Sequence, residues 1–192
     1  MAHIYQGFYE PGGLIKKREK ERELGRSLLM KGLEEKTGIT YEAGNEPLIK
    51  KGPHGKPYLA EHPEFHYNIS HTEGLVVCAV GDSELGVDVE KIRPYRDAIL
   101  KKTLSEMEQR ILDGKPEEEK QEWFFRFWTL KESYVKASGS GLTVPPSEIS
   151  FVPGTDDNIW CSQPGYYFWQ QKLGDDYILS LCMKEEEKVI FV

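Results

Sequence analysis

Leu85 to Glu90 reads LGVDVE, and Phe124 to Leu142 reads FFRFWTLKESYVKASGSGL; these two stretches decide the fold. The first alternates strictly. On a strand, Leu85, Val87 and Val89 share one face while Asp88 and Glu90 project side by side from the other. The second belongs to the strongest helical pattern of the chain, from about Glu117 to Ser138. Trp123, Phe127, Leu130 and Tyr134 form one apolar stripe, with Phe124, Trp128 and Val135 beside it. Gly139 and Gly141 end this helix, and Pro145-Pro146 prevents its resumption.

Working toward the N-terminus, LGVDVE follows two runs of β-formers, Phe65 to Ile69 and Leu75 to Val80, set around a Ser70-His71-Thr72-Glu73-Gly74 turn. A polar Gly/Pro stretch, KKGPHGKP, precedes them. Before it, Leu24, Leu28, Leu29 and Leu33 recur at helical spacing with Gly38 as a stop, and a short strand is expected at Ile4 to Tyr9. Toward the C-terminus, Ser105 with Glu108 three residues on predicts a capping box that opens a short helix through Leu112. Strands are expected near Ile149 to Val152, Tyr166 to Leu173 and Tyr177 to Met183, the last two joined by a Gly174-Asp175-Asp176 turn. The order is α+β, a sheet with helices packed on it.

The chain has 192 residues, 39% hydrophobic, 11% aromatic and 30% charged, enough for a sizeable core and typical of a globular protein in water. No run approaches the roughly 18 apolar residues of a membrane span. The opening MAHIYQGFYEPGG lacks the basic and apolar regions of a secretory signal, so a cytoplasmic location is expected. Cys78, Cys161 and Cys182 are widely spaced and odd in number, which suits small core hydrophobes better than a disulfide framework or a zinc site. A formal net charge of -7 argues against a nucleic-acid partner. Charge is nevertheless uneven: Lys16, Lys17, Arg18, Lys20, Arg22 and Arg26 crowd one segment, interleaved with Glu19, Glu21 and Glu23. That segment is either a solvated helix held by pairs at helical spacing or a local anion site.

Asp88 and Glu90 stand roughly 7 Å apart along the strand, and their side chains can converge on one cation. They equally suit an edge strand whose polar face meets water. Phe125, Thr129, Glu132 and Lys136 fall on one helical face distinct from the aromatic stripe. There Glu132 and Lys136 are either an exposed i,i+4 pair or a carboxylate and an ammonium held over the Asp88/Glu90 face, as phosphoryl chemistry with magnesium requires. Ser70 and His71 offer a hydroxyl and an imidazole to phosphate oxygens, although a turn histidine packed on Tyr67 would look the same. No Walker loop, G-x-S-x-G elbow, H-E-x-x-H or C-x-x-C is present.

In order, GKPYLAEHPEFHYNISHTEG, LGVDVEKIRP, LSEMEQ and FFRFWTLKESYVKASGSGL resemble the 4'-phosphopantetheinyl transferase superfamily, in its longer, surfactin-synthetase-activator (Sfp-like) branch. The family's G-[IV]-D-[IV]-E strand and W-[ST]-x-K-E-[SA]-x-x-K helix are present as Gly86 to Glu90 and Trp128 to Lys136. The resemblance covers most of residues 52 to 142 and is only architectural beyond Pro145. It implies two similar α+β halves related by a pseudo-twofold, divided here as residues 1–84 and 85–192, with coenzyme A between them.

The resemblance further implies that Asp88, Glu90 and Glu132 ligate Mg2+ and that Lys136 neutralises the phosphate and leaving group. Catalysis would then rest on Glu132, Lys136 and Asp88. Ser70, His71, Lys56 and Pro57 resemble the segments that meet the nucleotide and its phosphates. Lys17, Lys20 and Ser27, with neighbouring Arg18 and Arg26, resemble contacts to the 3'-phosphate, across a shorter N-terminal spacing than the family's. The implied reaction moves the 4'-phosphopantetheine arm of coenzyme A to a serine of an apo acyl or peptidyl carrier protein, with a monomer as the default. Two other readings stay open: a magnesium-dependent nucleotide pyrophosphate hydrolase, and a non-catalytic CoA- or carrier-binding module.

Overall fold

In a computed structural model, residues 1–42, 44–141, 144–154 and 158–192 are described, the side chain of Leu14 aside. Leu142, the last residue of the second decisive stretch, lies outside them. The elements run β1 (Ala2–Phe8), α1 (Leu14–Thr37), β2 (Ile49–Lys51), β3 (Pro57–Leu59), β4 (His66–Thr72), β5 (Leu75–Gly81) and β6 (Leu85–Lys91). After them come α2 (Leu100–Thr103), α3 (Glu106–Asp113), α4 (Lys120–Ser138), β7 (Phe151–Pro153), β8 (Ile159–Cys161), β9 (Tyr167–Leu173), β10 (Tyr177–Met183) and β11 (Val189–Phe191). The fold is α+β.

Two sheets carry it, ordered β11-β1-β5-β4 and β6-β10-β9. A strand, a helix and a hairpin recur: β1, α1, β4–β5, then β6, α4, β9–β10. In both, the last strand lies antiparallel between the other two. The C-terminal β11 crosses the division expected at residue 84 and pairs parallel with β1. A central core of Ile4, Leu75, Val77, Leu85, Val87, Val89, Leu179 and Leu181 lies between the sheets. Helix α1 covers a second core through Leu28, Leu29 and Leu33, and α4 a third through Phe124, Phe127 and Leu130. Gly38 ends α1 at φ 74 and Gly139 ends α4 at φ 62, left-handed conformations that favour glycine.

Strands β4 and β6 lie edge to edge without a backbone ladder. Instead the side chains of Asn68, Ser70 and Thr72 accept hydrogen bonds from the backbone N–H groups of Val87, Val89 and Lys91 at 3.0, 3.3 and 3.2 Å. Three alternate residues thereby satisfy an edge that would otherwise be unpaired. This corrects the sequence reading of Ser70-His71-Thr72 as part of a turn. The turn is only Glu73-Gly74, with Gly74 at φ 85, and the strand continues through Thr72. Cys78 and Cys182 are buried and Cys161 partly so, all three as free thiols. Among the described residues no helix is long and apolar enough to cross a membrane.

Candidate active site

The site begins with a close approach. At Gly86 an added Cβ would lie 2.3 Å from the Ala137 nitrogen, 2.3 Å from the Ser133 oxygen and 2.8 Å from the Lys136 carbonyl carbon. All three are backbone atoms of α4, so β6 and α4 can cross at this distance only over a glycine. The crossing sets Lys136 on the strand. Its Nζ donates to Asp88 Oδ1 at 2.6 Å, to Ser70 Oγ at 3.0 Å and to the Val87 carbonyl at 3.1 Å, which uses all three ammonium protons. The alternative of an exposed Glu132–Lys136 pair does not hold.

Asp88 is buried, and its Oδ1 accepts from both Lys136 and Ser70. Its Oδ2 is buried with no hydrogen-bond partner in the structure. Glu90 Oε2 accepts from Thr72 Oγ1 at 3.2 Å and lies 3.5 Å from Arg93, while its Oε1 accepts from Trp128 Nε1 at 3.4 Å. Glu132, from the next turn of α4, shares this environment. Burial pushes the carboxyls of Glu90 and Glu132 above their ordinary values, and the charge of Asp88 pushes both further.

Among the described residues no three His, Cys, Asp or Glu side chains stand close enough to hold a metal ion as they are. Lys136 engages one Asp88 oxygen, and Thr72 and Trp128 engage Glu90. The residues nonetheless fit a hard divalent cation in two respects: the donors are all carboxylate oxygens, and a buried carboxylate oxygen without a partner costs free energy that a cation would recover.

Because Ser70 and His71 are consecutive on β4, they point to opposite faces. Ser70 faces Asp88 and Lys136. His71 faces a cavity of about 840 Å³ whose walls include Arg18, Arg22, Arg26, Leu29, Ile69 and the segment Glu46 to Ile49. The arginines recur every fourth residue along one face of α1. Lys17, Lys20 and Ser27, the residues expected there from resemblance, do not line this cavity. Lys17 lies 3.8 Å from Glu21, Lys20 donates to the Glu10 carbonyl, and Ser27 is exposed on another side of the helix. Lys56 and Pro57 line a separate cavity of about 360 Å³, where Lys56 is held by Glu84 at 2.7 Å and the Ala137 carbonyl at 2.9 Å.

Three contributions escaped the sequence. Trp128 was read as apolar surface, yet its indole N–H holds Glu90. Thr72 holds the same carboxylate from the other half. Lys131, beside Glu132, is fully buried with Glu108 at 2.7 Å, and it donates to the Pro146 and Ile149 carbonyls as well. The capping box is present as expected, with Glu108 Oε2 on the Ser105 N–H. Its Oε1 also accepts from Phe151 N, so the cap doubles as the anchor of the α4 interior. Burial pushes the Glu108 carboxyl up and the Lys131 ammonium down, and their contact opposes both.

The strand, helix and residue set correspond to a family model described as the 4'-phosphopantetheinyl transferase superfamily, which matches residues 84–182. The chain belongs to that superfamily. It is similar to a 4'-phosphopantetheinyl transferase of Bacillus subtilis, 37% identical over 133 residues, and to 4'-phosphopantetheinyl transferase Sfp of Bacillus subtilis strain 168, 36% identical over 133 residues. Each alignment covers 67% of this chain and 59% of the relative, so the chain spans well under two thirds of these relatives' length. With 4'-phosphopantetheinyl transferase psf-1 of Bacillus pumilus it shares 38% identity over 89 residues, 46% of this chain and 38% of the relative.

Proposed function

We propose that this chain transfers the 4'-phosphopantetheine arm of coenzyme A to a serine hydroxyl of an apo carrier protein. The carrier oxygen bonds to the β-phosphorus as the bond from that phosphorus to the bridging oxygen breaks, and 3',5'-ADP departs with the electron pair. The observation that carries this reading is Asp88: a buried carboxylate clamped on one oxygen by Lys136 and Ser70, and unpartnered on the other.

A magnesium ion held by Asp88, Glu90 and Glu132 would supply charge compensation for the pyrophosphate. The chain's own residues do the remainder. Lys136, held by three acceptors and still partly exposed, can exchange one of them for a phosphate oxygen and follow the charge that develops on the leaving group. Glu132, which stands beside Asp88 and Glu90, or a water held by the ion would accept the serine proton. The cavity fits the nucleotide end of coenzyme A. Of the residues expected at the 3'-phosphate, Arg18 and Arg26 would take it, joined by Arg22, because guanidinium groups meet phosphate oxygens two at a time. A monomer carries all of these residues.

The test is mass spectrometry of several apo carrier proteins after incubation with the chain, coenzyme A and magnesium. Addition of one phosphopantetheine to a single serine is expected. Consumption of coenzyme A without any acceptor would instead support a hydrolase, and no modification of any carrier would support a binding module.

A further inference from the structure

Three carboxylates line the arginine-bearing cavity: Glu46 holds Arg26 at 2.7 Å and must yield it to an incoming phosphate, Glu61 stands on the wall, and Glu21 is the buried one. Glu21 projects from α1 between Arg18 and Arg22, and it is only 7% exposed. Its two oxygens have different partners. Oε1 accepts the Tyr9 hydroxyl at 2.5 Å, from the loop that follows β1, and Lys17 stands 3.8 Å from the same oxygen. Oε2 lies 3.6 Å from Nδ1 of His71, whose ring is 56% exposed toward the cavity. Three segments of the fold therefore meet on one buried acid.

Tyr9 has a single hydroxyl proton, and Glu21 is closer than its other acceptor, the Thr72 carbonyl at 3.1 Å. Burial and Glu21 together push the phenol up to about 12, so it remains a donor throughout the neutral range. The tyrosine thus fixes one carboxylate oxygen and turns the other toward the imidazole. At 3.6 Å the contact is electrostatic rather than a hydrogen bond; a carboxylate facing Nδ1 favours the tautomer with its proton there, and Nε2 then turns the opposite way, into the cavity.

We propose that Glu21, held by Tyr9, is a positioning residue that orients His71 so that Nε2 faces the phosphate monoester bound by Arg18, Arg22 and Arg26. This rests on the reading of the cavity as the nucleotide end of the coenzyme A site. It gives the buried acid a purpose that packing does not. It also divides the work across β4: Ser70 serves the carboxylates on one face, and Glu21 sets His71 for the phosphate on the other.

The experiment pairs two readouts on the full chain, wild type, Glu21→Gln and Glu21→Ala. One is calorimetric binding of CoA and of dephospho-CoA, which lacks the 3'-phosphate; the other is the nitrogen-15 spectrum of the His71 ring. In wild type the ring is expected with its proton on Nδ1. Glu21→Ala should move that proton to Nε2 and weaken CoA roughly tenfold, the loss expected for one hydrogen bond to a charged group, while dephospho-CoA changes less than about twofold. Glu21→Gln keeps an amide dipole facing Nδ1 but not the charge, and should give a ring spectrum and a loss of CoA affinity between those of wild type and Glu21→Ala. This variant also covers the case in which Glu21→Ala fails to fold. An unchanged ring spectrum and CoA affinity in Glu21→Ala, or equal weakening of both nucleotides in either variant, overturns the inference alone. A wild type that binds neither nucleotide overturns the reading of the site, and this inference with it.

Discussion

Replacing Gly86 with alanine tests the geometry on which the site depends. The new methyl group would sit 2.3 Å from two backbone atoms of α4 and 2.8 Å from a third, and none of these belongs to a flexible side chain that could turn away. To restore ordinary contact at about 3.4 Å, the helix must retreat by about 1 Å. Overpacking of this kind costs about 1–3 kcal/mol, and a rigid backbone neighbour argues for the upper end. For a chain of this size that lowers the melting temperature by about 6–12 °C. The retreat also carries Lys136 off Asp88, now 2.6 Å away, and a misplacement of that size costs about a hundredfold in rate. Thermal denaturation and initial rates of carrier modification are the assays. Gly13→Ala is the control, because an added Cβ there has nothing within 4 Å. A Gly86→Ala protein with wild-type melting temperature and wild-type rate would refute the reasoning.

Three further outcomes follow from the same contacts. Lys131→Met strands the fully buried Glu108 carboxylate and should destabilise the protein by about 3–5 kcal/mol in denaturant titration, whereas Lys131→Met with Glu108→Leu recovers only part of the loss, because the Ser105 and Phe151 N–H groups then lose their acceptor. Trp128→Phe removes the indole donor to Glu90; carrier modification should slow roughly three- to tenfold and need more magnesium for half-maximal rate, with the melting temperature little changed. Asp82 is held at about 2 by its hydrogen bond to Lys36 first and by the N-terminal ammonium second. A depressed carboxyl stabilises the fold above its ordinary value and loses that contribution as the pH falls toward 2. Lys36→Met should therefore raise the Asp82 midpoint toward 3.8 in a carboxyl NMR titration and flatten that acid-side loss.

The long elements were legible because their patterns run for several repeats. The alternation of LGVDVE became β6 with Leu85, Val87 and Val89 in the central core, and the aromatic stripe became α4. Strands β2, β3, β8 and β11 have three residues each, too few to show a period, and they form because their partners are near. Ser70 and His71 were read into a turn because NISHTEG is rich in turn formers; the pairing with β5 extends the strand to Thr72 and sends the two side chains to opposite faces. Nothing local marks Lys131 as buried, because its partner Glu108 lies on another helix. Arg18, Arg22 and Arg26 were visible only within a basic segment, since which face of α1 turns toward a cavity depends on how the helix lies against β4 and β5, and that is a tertiary fact.

The most direct test is a crystal of the protein with coenzyme A and manganese, whose anomalous scattering marks a single ion. The account predicts one peak about 2.1 Å from carboxylate oxygens of Asp88, Glu90 and Glu132, touching the pyrophosphate, with Asp88 Oδ2 among the ligands. A pyrophosphate bound elsewhere, or an ion that leaves Glu132 unligated and Asp88 Oδ2 still without a partner, would contradict it.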